Sequence, residues 1–169
     1  MRCRHMAILN QEQIWAALKE VPDPELPAIS VVDMGIVRHI QIDPQHESVR
    51  IDITPTFAGC PALARIRSEI QERLLQLATH VEVNVTMQQP WNTDMLSPAA
   101  RQKLHSAGIA PPPIIGHGKA LPLLMNQPLT CPYCGSQQTT LENAFGPTPC
   151  RAIAYCEHCH QPFEQFKPV

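Results

Sequence analysis

The sequence has little charge, few aromatic side chains and no long apolar run. Only 17% of its 169 residues are charged and the formal net charge is -2, so the composition does not favour binding to nucleic acid or to an anionic membrane. No segment approaches the roughly 18 apolar residues of a membrane-spanning helix, and the first residues lack the apolar stretch of a secretory signal. These absences predict a soluble cytoplasmic protein. Residues 1–5 fit no later pattern, which leaves Met6 as an alternative start.

Cysteine and proline, in contrast, are abundant. The seven cysteines are an odd number, and four of them form two CxxC pairs, which in a chain without a secretory signal indicate a metal site before a disulfide. The 18 prolines cluster at places that mark boundaries between elements. The 44% hydrophobic content suffices for one good core and a small second module.

The pattern of apolar residues predicts the order helix, strand, strand, helix, strand, helix before residue 110. This order indicates an α/β (α+β) fold, in which helices cover one face of a small sheet. The first two strands should form a hairpin, and a third strand beside the first would need a right-handed crossover. The expected elements are a helix capped by Asn10 and ending near Val21, strands at 37–42 and 49–53, a helix beginning near Cys60, a strand at 81–87 and a helix at 98–107.

The distribution of prolines divides the chain into two domains and a linker. Residues 1–110 form the expected α/β domain, and residues 131–169 form a second module. Between them, residues 111–130 carry five prolines and no sustained periodicity, which is typical of a linker.

Four cysteines in the second module have the spacing of a zinc ribbon. Cys131 and Cys134 stand in CPYCG, and Cys156 and Cys159 in CEHCH, with 21 residues between the pairs. Each CxxC turn directs two sulfurs to one point, and two turns complete the tetrahedron that Zn²⁺ prefers. Four thiolates leave no position for water, which predicts a structural ion. The module has too few large apolar groups to fold alone, so the metal should supply much of its folding free energy.

Other interpretations of these cysteines are open. Iron in a rubredoxin-like site would have the same ligands, and a redox or disulfide CxxC is a further alternative, although no strand–helix pattern flanks either pair. His158 or His160 could replace one sulfur, and Cys150 is either an inert filler, which we favour, or a fifth thiol. Because the module has few basic residues, we expect it to contact protein and not nucleic acid.

Cys60 is expected at the start of a helix. It precedes Pro61 in the segment TPTFAGCP, where N–H groups without helical partners and the positive end of the helix dipole would favour a thiolate. The alternative is a small buried hydrophobic residue, which is what most free cysteines are. Asp23 and Glu25, in the sequence DPE, form a second candidate site. The alternative is that the two carboxylates are solvated or cap the segment that follows.

These motifs together resemble two related families. The DPE at 23–25, the D-x-G-x-V segment that begins at Asp33 and the T-x-x-x-C segment of Thr56 and Cys60 resemble the iron–sulfur assembly domain of the SufT family and of eukaryotic cytosolic iron–sulfur targeting factors. With the segment QQPWNTDMLSPAARQKLHSAGIAPP and the cysteine-rich tail added, nearly the whole chain from residue 11 resembles the PaaD family of phenylacetate-degradation proteins.

The resemblance implies an accessory or maturation factor of the bacterial phenylacetyl-CoA ring epoxidase, a multicomponent monooxygenase of aerobic aromatic degradation. The implied partners are other epoxidase components, especially the iron–sulfur reductase, and an exposed edge strand could also pair two copies of the chain. The sequence has no paired ExxH helices, no GxGxxG fingerprint and no ferredoxin-type cysteine set, so a non-catalytic component is expected. A structural adaptor without a role in metal transfer is the alternative.

The mechanistic hypothesis that follows assigns iron handling to Cys60. Its thiolate would bind iron or an iron–sulfur cluster in transit, and the ribbon would hold the client protein. Asp23 and Glu25 would ligate, orient or accept a proton, while Thr56 would hydrogen-bond the sulfur or its loop. A freestanding enzyme would need a histidine beside Cys60, and nothing in the sequence brings one there.

Overall fold

The computed structural model of the protein describes residues 9–114, 116 and 129–168. No described helix has both the length and the apolar character needed to cross a membrane. The elements, in chain order, are α1 (Gln11–Lys19), β1 (Val37–Asp43), β2 (Ser48–Ile53), α2 (Leu63–Leu74), β3 (His80–Val85), a 3₁₀ helix (Thr93–Met95), α3 (Pro98–Ser106), β4 (Ile109–Ala110), β5 (Thr139–Asn143), β6 (Arg151–Cys156) and β7 (Pro162–Phe166).

The predicted α/β class and the predicted order of helices and strands up to α3 are confirmed. The 3₁₀ helix and β4 were not predicted, because elements of three and two residues are too short to show a period. Of the expected linker at 111–130, residues 115 and 117–128 lie outside the described residues.

The chain divides into two compact units, neither of which is continuous in sequence. The second unit contains α3 and β4 together with the strands of the ribbon. The domain predicted at residues 1–110 placed these residues with the first three strands instead. The first unit comprises Met1–Val32, Ile36–Thr54 and Pro61–Pro90, and the second comprises Asp33–Gly35, Pro55–Cys60 and Trp91–Val169.

In the first unit, α1 begins with a capping box, as its sequence predicts. The Asn10 side chain accepts the N–H of Gln13 at 2.9 Å, and the Gln13 side chain accepts the N–H of Asn10 at 3.1 Å. These two bonds satisfy N–H groups that have no partner inside the helix. The helix buries one face and ends before the proline-rich segment that follows.

The sheet of the first unit has the order β1-β2-β3. β1 and β2 form the predicted antiparallel hairpin, and β3 pairs with β2 in parallel, so the third strand does not lie beside the first. Val49, Ile51 and Ile53 are buried, as the alternation in β2 predicts. The predicted third strand was too long, because β3 ends at Val85 and Met87 beyond it is 51% exposed.

The expected start of α2 was wrong. The helix begins at Leu63, and its N-cap, Ala62, makes no side-chain capping bond. The backbone N–H of Cys60 donates to the carbonyl of Phe57 at 3.0 Å, which closes a tight turn before the helix. Cys60 therefore ends a turn that precedes the helix, and the thiol is not in the first turn of α2.

The sheet of the second unit has the order β4-β7-β6-β5. β5, β6 and β7 are antiparallel neighbours, while β4, which directly follows α3, adds to β7 in parallel. Ser97 caps α3 by accepting the N–H of Ala100 at 2.9 Å. This confirms the predicted cap and the predicted position of the helix.

The D-x-G segment holds the start of α3 within the second unit. The carboxylate of Asp33 accepts bonds from the hydroxyl of Ser97 at 3.2 Å and the ammonium of Lys103 at 2.6 Å. Gly35 has a φ of +69°, and a Cβ atom there would lie 2.2 Å from the carbonyl oxygen of Met95. The motif therefore has a structural explanation, and only glycine fits its third position.

We predict that Gly35→Ala destabilises the protein by about 2–3 kcal/mol, because it adds a steric clash to an unfavourable φ. Gly116→Ala is the matched control, since Gly116 also has a positive φ, +63°, but nothing within 4 Å of its added Cβ. The control should cost about 1 kcal/mol. Urea unfolding of both variants measures the difference, and equal costs would contradict the clash.

Candidate functional site

Four cysteine side chains of the second unit converge on one point. The sulfur atoms of Cys131, Cys134, Cys156 and Cys159 all lie within 4.8 Å of one another. The Cys131–Cys159 and Cys134–Cys156 sulfur distances are 3.7 and 3.6 Å. Sulfurs held at about 2.3 Å from a tetrahedral zinc ion would lie about 3.8 Å apart, whereas a disulfide needs about 2.05 Å. The geometry therefore suits a tetrahedral metal ion and not a disulfide.

Two turns of the same design hold these cysteines. In the first, the N–H of Gly135 donates to the carbonyl of Cys131 at 3.0 Å, and in the second, the N–H of His160 donates to the carbonyl of Cys156 at 2.9 Å. Gly135 and His160 both have positive φ values, +73° and +56°. The signal for this correspondence is in the sequence, because both residues lie four positions after the first cysteine of their pair, but it was not predicted.

The hydrogen bonds of the second turn favour a thiolate at Cys156. The backbone N–H groups of Cys159 and then of His158 lower the pKa of the Cys156 thiol to about 6. Burial raises the pKa of Cys159 to about 12. Metal binding requires thiolates, so the turn supplies one ligand that is already close to its metal-binding form.

The surroundings of the cluster are apolar. Cys131 and Cys156 are fully buried in a small core with Ala110, Ala154 and Phe163, against which Cys159 also packs. Cys134 is exposed, so one side of the cluster faces solvent. Four sulfur ligands in a mostly apolar setting are typical of a structural metal site.

The other candidate ligands of the ribbon lie outside this group. Cys150 is half-buried, with its sulfur 3.2 Å from the hydroxyl of Thr148. The ring of His160 faces the hydroxyl of Tyr155 at 3.3 Å, and His158 is exposed. Among the described residues, only the four cysteines named above bring three or more His, Cys, Asp or Glu ligand atoms so close together.

Cys60 and Thr56 lie in one loop of the second unit, between β2 and α2. Both side chains are half-buried, and Phe57 between them is 45% exposed. Thr54, just before the loop, is buried in the first unit, where its hydroxyl donates to the carbonyl of Thr86 at 2.9 Å. Thr54 is therefore structural, whereas Cys60 has a partly exposed side chain that lies apart from the four-cysteine cluster.

Asp23 and Glu25 lie in the proline-rich turn of the first unit. Asp23 is buried, and its carboxylate accepts the N–H groups of Glu25 at 2.8 Å and Leu26 at 3.0 Å. Asp23 thus shapes the turn, as the capping alternative predicts, and Glu25 is half-buried beside it. The sequence-predicted iron-handling residues are therefore divided between the two compact units.

The sequence matches two known families in succession. Residues 11–105 match the family described as iron-sulfur cluster assembly protein, and residues 119–167 match the PaaD zinc beta ribbon domain.

Individual proteins with similar sequences agree with both matches. One relative, a putative 1,2-phenylacetyl-CoA epoxidase subunit of Escherichia coli K12, is 36% identical over 158 residues, which cover 93% of this chain and 92% of the relative. The Fe-S protein maturation auxiliary factor SufT of Staphylococcus aureus is 32% identical over 83 residues, which cover 48% of this chain and 92% of that protein.

Two solved structures share the fold of a little over half of the chain. A domain of unknown function from Bacillus anthracis matches with a TM-score of 0.52 at 30% identity. The match covers 56% of this chain and 90% of the Bacillus chain. A conserved hypothetical protein from Thermotoga maritima matches with a TM-score of 0.50 at 35% identity. The match covers 59% of this chain and 98% of the Thermotoga chain. With the matches to both domains and to a relative of nearly equal length, the chain belongs to the PaaD family, in which an iron–sulfur cluster assembly domain precedes a zinc ribbon.

Proposed function

We propose that the protein is an accessory factor of a phenylacetyl-CoA epoxidase and helps to deliver iron or an iron–sulfur cluster to another component. The similarity to an epoxidase subunit along 93% of the chain supports the first part, and the similarity of the N-terminal part to Fe-S maturation factors supports the second. Among the described cysteines, four converge in the ribbon, while Cys60 and Cys150 are half-buried outside that cluster. The observation that carries the proposal is the partly exposed loop of Cys60, which holds the T-x-x-x-C segment of Thr56 and Cys60.

In this proposal the ribbon holds a structural Zn²⁺. Cys131, Cys134, Cys156 and Cys159 are its ligands, and the sulfur distances of 3.6 and 3.7 Å support tetrahedral coordination. When bound, the ion supplies folding free energy and carries out no chemistry. The same four thiolates also suit iron, so the identity of the ion is a matter for elemental analysis.

Cys60 is the proposed contact with the cargo. A half-buried thiol in a loop can reach a partner's metal, whereas the four sulfurs of the ribbon are committed to one another's site whatever their exposure. Thr56, in the same loop, is proposed to hold the loop or the sulfur in position. Asp23 would act indirectly, because its carboxylate already accepts two N–H groups of its own turn. Glu25 is therefore the carboxylate proposed to ligate or orient the iron cargo or to accept a proton.

The adaptor alternative differs only in the role of Cys60. As an adaptor, the protein would bind the epoxidase components and would not need the thiol. A freestanding enzyme has less support, since His39, His46, His80 and His105 are all exposed and His46 lies 2.6 Å from the carboxylate of Asp43.

We expect Cys60→Ser to reduce the iron and acid-labile sulfide content of the epoxidase reductase to about one tenth, in a strain whose only copy of this protein is the variant. The thermal unfolding midpoint of the variant should change by less than about 2 °C, because the replaced side chain is half-exposed and nearly isosteric. Cys150→Ser, a change at the other half-buried cysteine outside the cluster, is the control and should leave the reductase fully loaded. A fully loaded reductase in the Cys60→Ser strain would favour the adaptor.

We expect purified full-length protein to contain about one zinc ion per chain, and Cys156→Ser to remove most of it. Loss of a fully buried ligand should also lower the unfolding midpoint by about 10 °C or more, since the ribbon depends on the metal for its folding free energy. Elemental analysis and calorimetry measure the two effects, with Cys150→Ser again as the control. Retention of stoichiometric metal by Cys156→Ser would contradict the four-thiolate site, and iron in place of zinc would identify a rubredoxin-like site.

A further inference from the structure

The connection between β5 and β6 presents an aromatic ring to solvent. Phe145 is 82% exposed, the highest value among the large apolar side chains of the described residues. Leaving such a side chain in water forgoes the free energy of burying it. Single exposed apolar residues are common on protein surfaces, so exposure alone does not indicate a function.

The backbone on both sides of Phe145 is held in place. The N–H of Phe145 donates to the side chain of Asn143 at 2.9 Å, and the N–H of Gly146 donates to the carbonyl of Arg151 at 2.9 Å. A Cβ atom at position 146 would lie 2.8 Å from that same carbonyl oxygen, so the close approach of the two chain segments requires glycine. The exposed ring is therefore carried by a fixed turn, which lowers the entropy cost of binding through it.

A cation lies beside the ring. The ammonium of Lys167 is 5.9 Å from the centroid of Phe145, a cation–π distance, and it also donates to the carbonyl of Ala144 at 3.2 Å. Glu142 lies three residues before Phe145, and its carboxylate reaches back along β5 to within 3.1 Å of the hydroxyl of Thr140, which lies 3.4 Å from the carboxylate of Glu157. Because the ammonium of Lys167 is the charge that lies against the Phe145 ring, a protein surface that receives the ring should be acidic at its rim.

β5 adds a second exposed apolar side chain. Leu141 is 51% exposed and pairs with Ala154, whose side chain is in the ribbon core. The strand lies at the edge of its sheet, but its register shifts between Leu141 and Asn143, and such an irregularity opposes the addition of a further strand. β5 and the connection that carries Phe145 are therefore better suited to insert a side chain into a pocket than to extend a sheet.

We propose that Phe145 anchors the ribbon in an apolar pocket, rimmed by carboxylates, on another protein component of the epoxidase system. Lys167 pairs with the acidic rim. A rigid aromatic side chain that enters a pocket, with a neighbouring cation at the edge, is typical of the residues that dominate protein interfaces. The inference rests on the proposed function for the identity of the partner and assigns the residues that would recognise it.

The test measures the affinity of full-length protein for the purified oxygenase and reductase components by biolayer interferometry. Phe145→Ala should weaken binding by about tenfold or more. Lys167→Glu should weaken it several-fold at low salt, and less at high salt, because rim charges are screened. Met87→Ala removes another apolar side chain, 51% exposed, from the first unit and should change the affinity by less than about twofold. Unchanged metal content and unfolding midpoint would show that Phe145→Ala is folded.

Two results would overturn the inference while the proposed function stands. The first is that wild type and Phe145→Ala bind equally well, or that the wild type binds no component. Either result must come with a reductase that still loses iron and sulfide when the protein is deleted. The second is a change in the oligomeric state of the free protein with Phe145→Ala, which would make a second copy of the chain the occupant. Conversely, weak binding of Phe145→Ala with a reductase that is fully loaded without this protein would support the anchor and overturn the maturation role.

Discussion

In the second unit, four cysteine sulfurs lie within 4.8 Å of one another, an arrangement that costs free energy unless a cation draws them together. As thiolates they would repel one another, and as thiols they would gain only weak hydrogen bonds. The surrounding core is small, with alanines and Phe163 as its other buried members, so hydrophobic burial alone offers little compensation. Metal binding is therefore the interaction on which the order of the chain around these four cysteines depends most.

The dependence extends beyond the ribbon strands. Trp91 lies with its ring centroid 6.0 Å from that of Phe166 in β7, and its indole N–H donates to the carbonyl of Met34 at 2.9 Å. Through these contacts the ribbon sheet supports the D-x-G segment, which in turn holds α3 through Asp33. Two motifs of the iron–sulfur assembly family, D-x-G and the Cys60 loop, thus belong to the compact unit that carries the metal site. Loss of the metal would therefore weaken the scaffold of the D-x-G segment.

Local signals predicted the parts of the fold that local interactions determine. Asn10 and Ser97 are caps, and the apolar alternation of β2 is long enough to identify a half-buried strand. The pairing of β4 with β7 could not be predicted, because it joins two residues after α3 to a strand more than 50 positions later and has no local sequence signal. The start of α2 was wrong for a related reason: Pro61 is compatible with a helix start, but the turn from Phe57 to Cys60 ends before the helix begins.

The candidate site divides in the same way. The four cysteines of the ribbon could be identified because CxxC turns are local and their spacing is specific. The bonds of Asp23 to the next N–H groups are local too and match the capping alternative, whereas its burial depends on packing that the sequence does not reveal. The number of sulfur ligands at one point distinguishes the two proposed roles, a structural metal site and a transient contact with iron. Four converging thiolates bind an ion too tightly for it to leave, which suits a permanent structural site. One thiol in a partly exposed loop can supply only a single ligand, so any iron it binds must complete its coordination with groups from elsewhere and can pass to a partner that offers more.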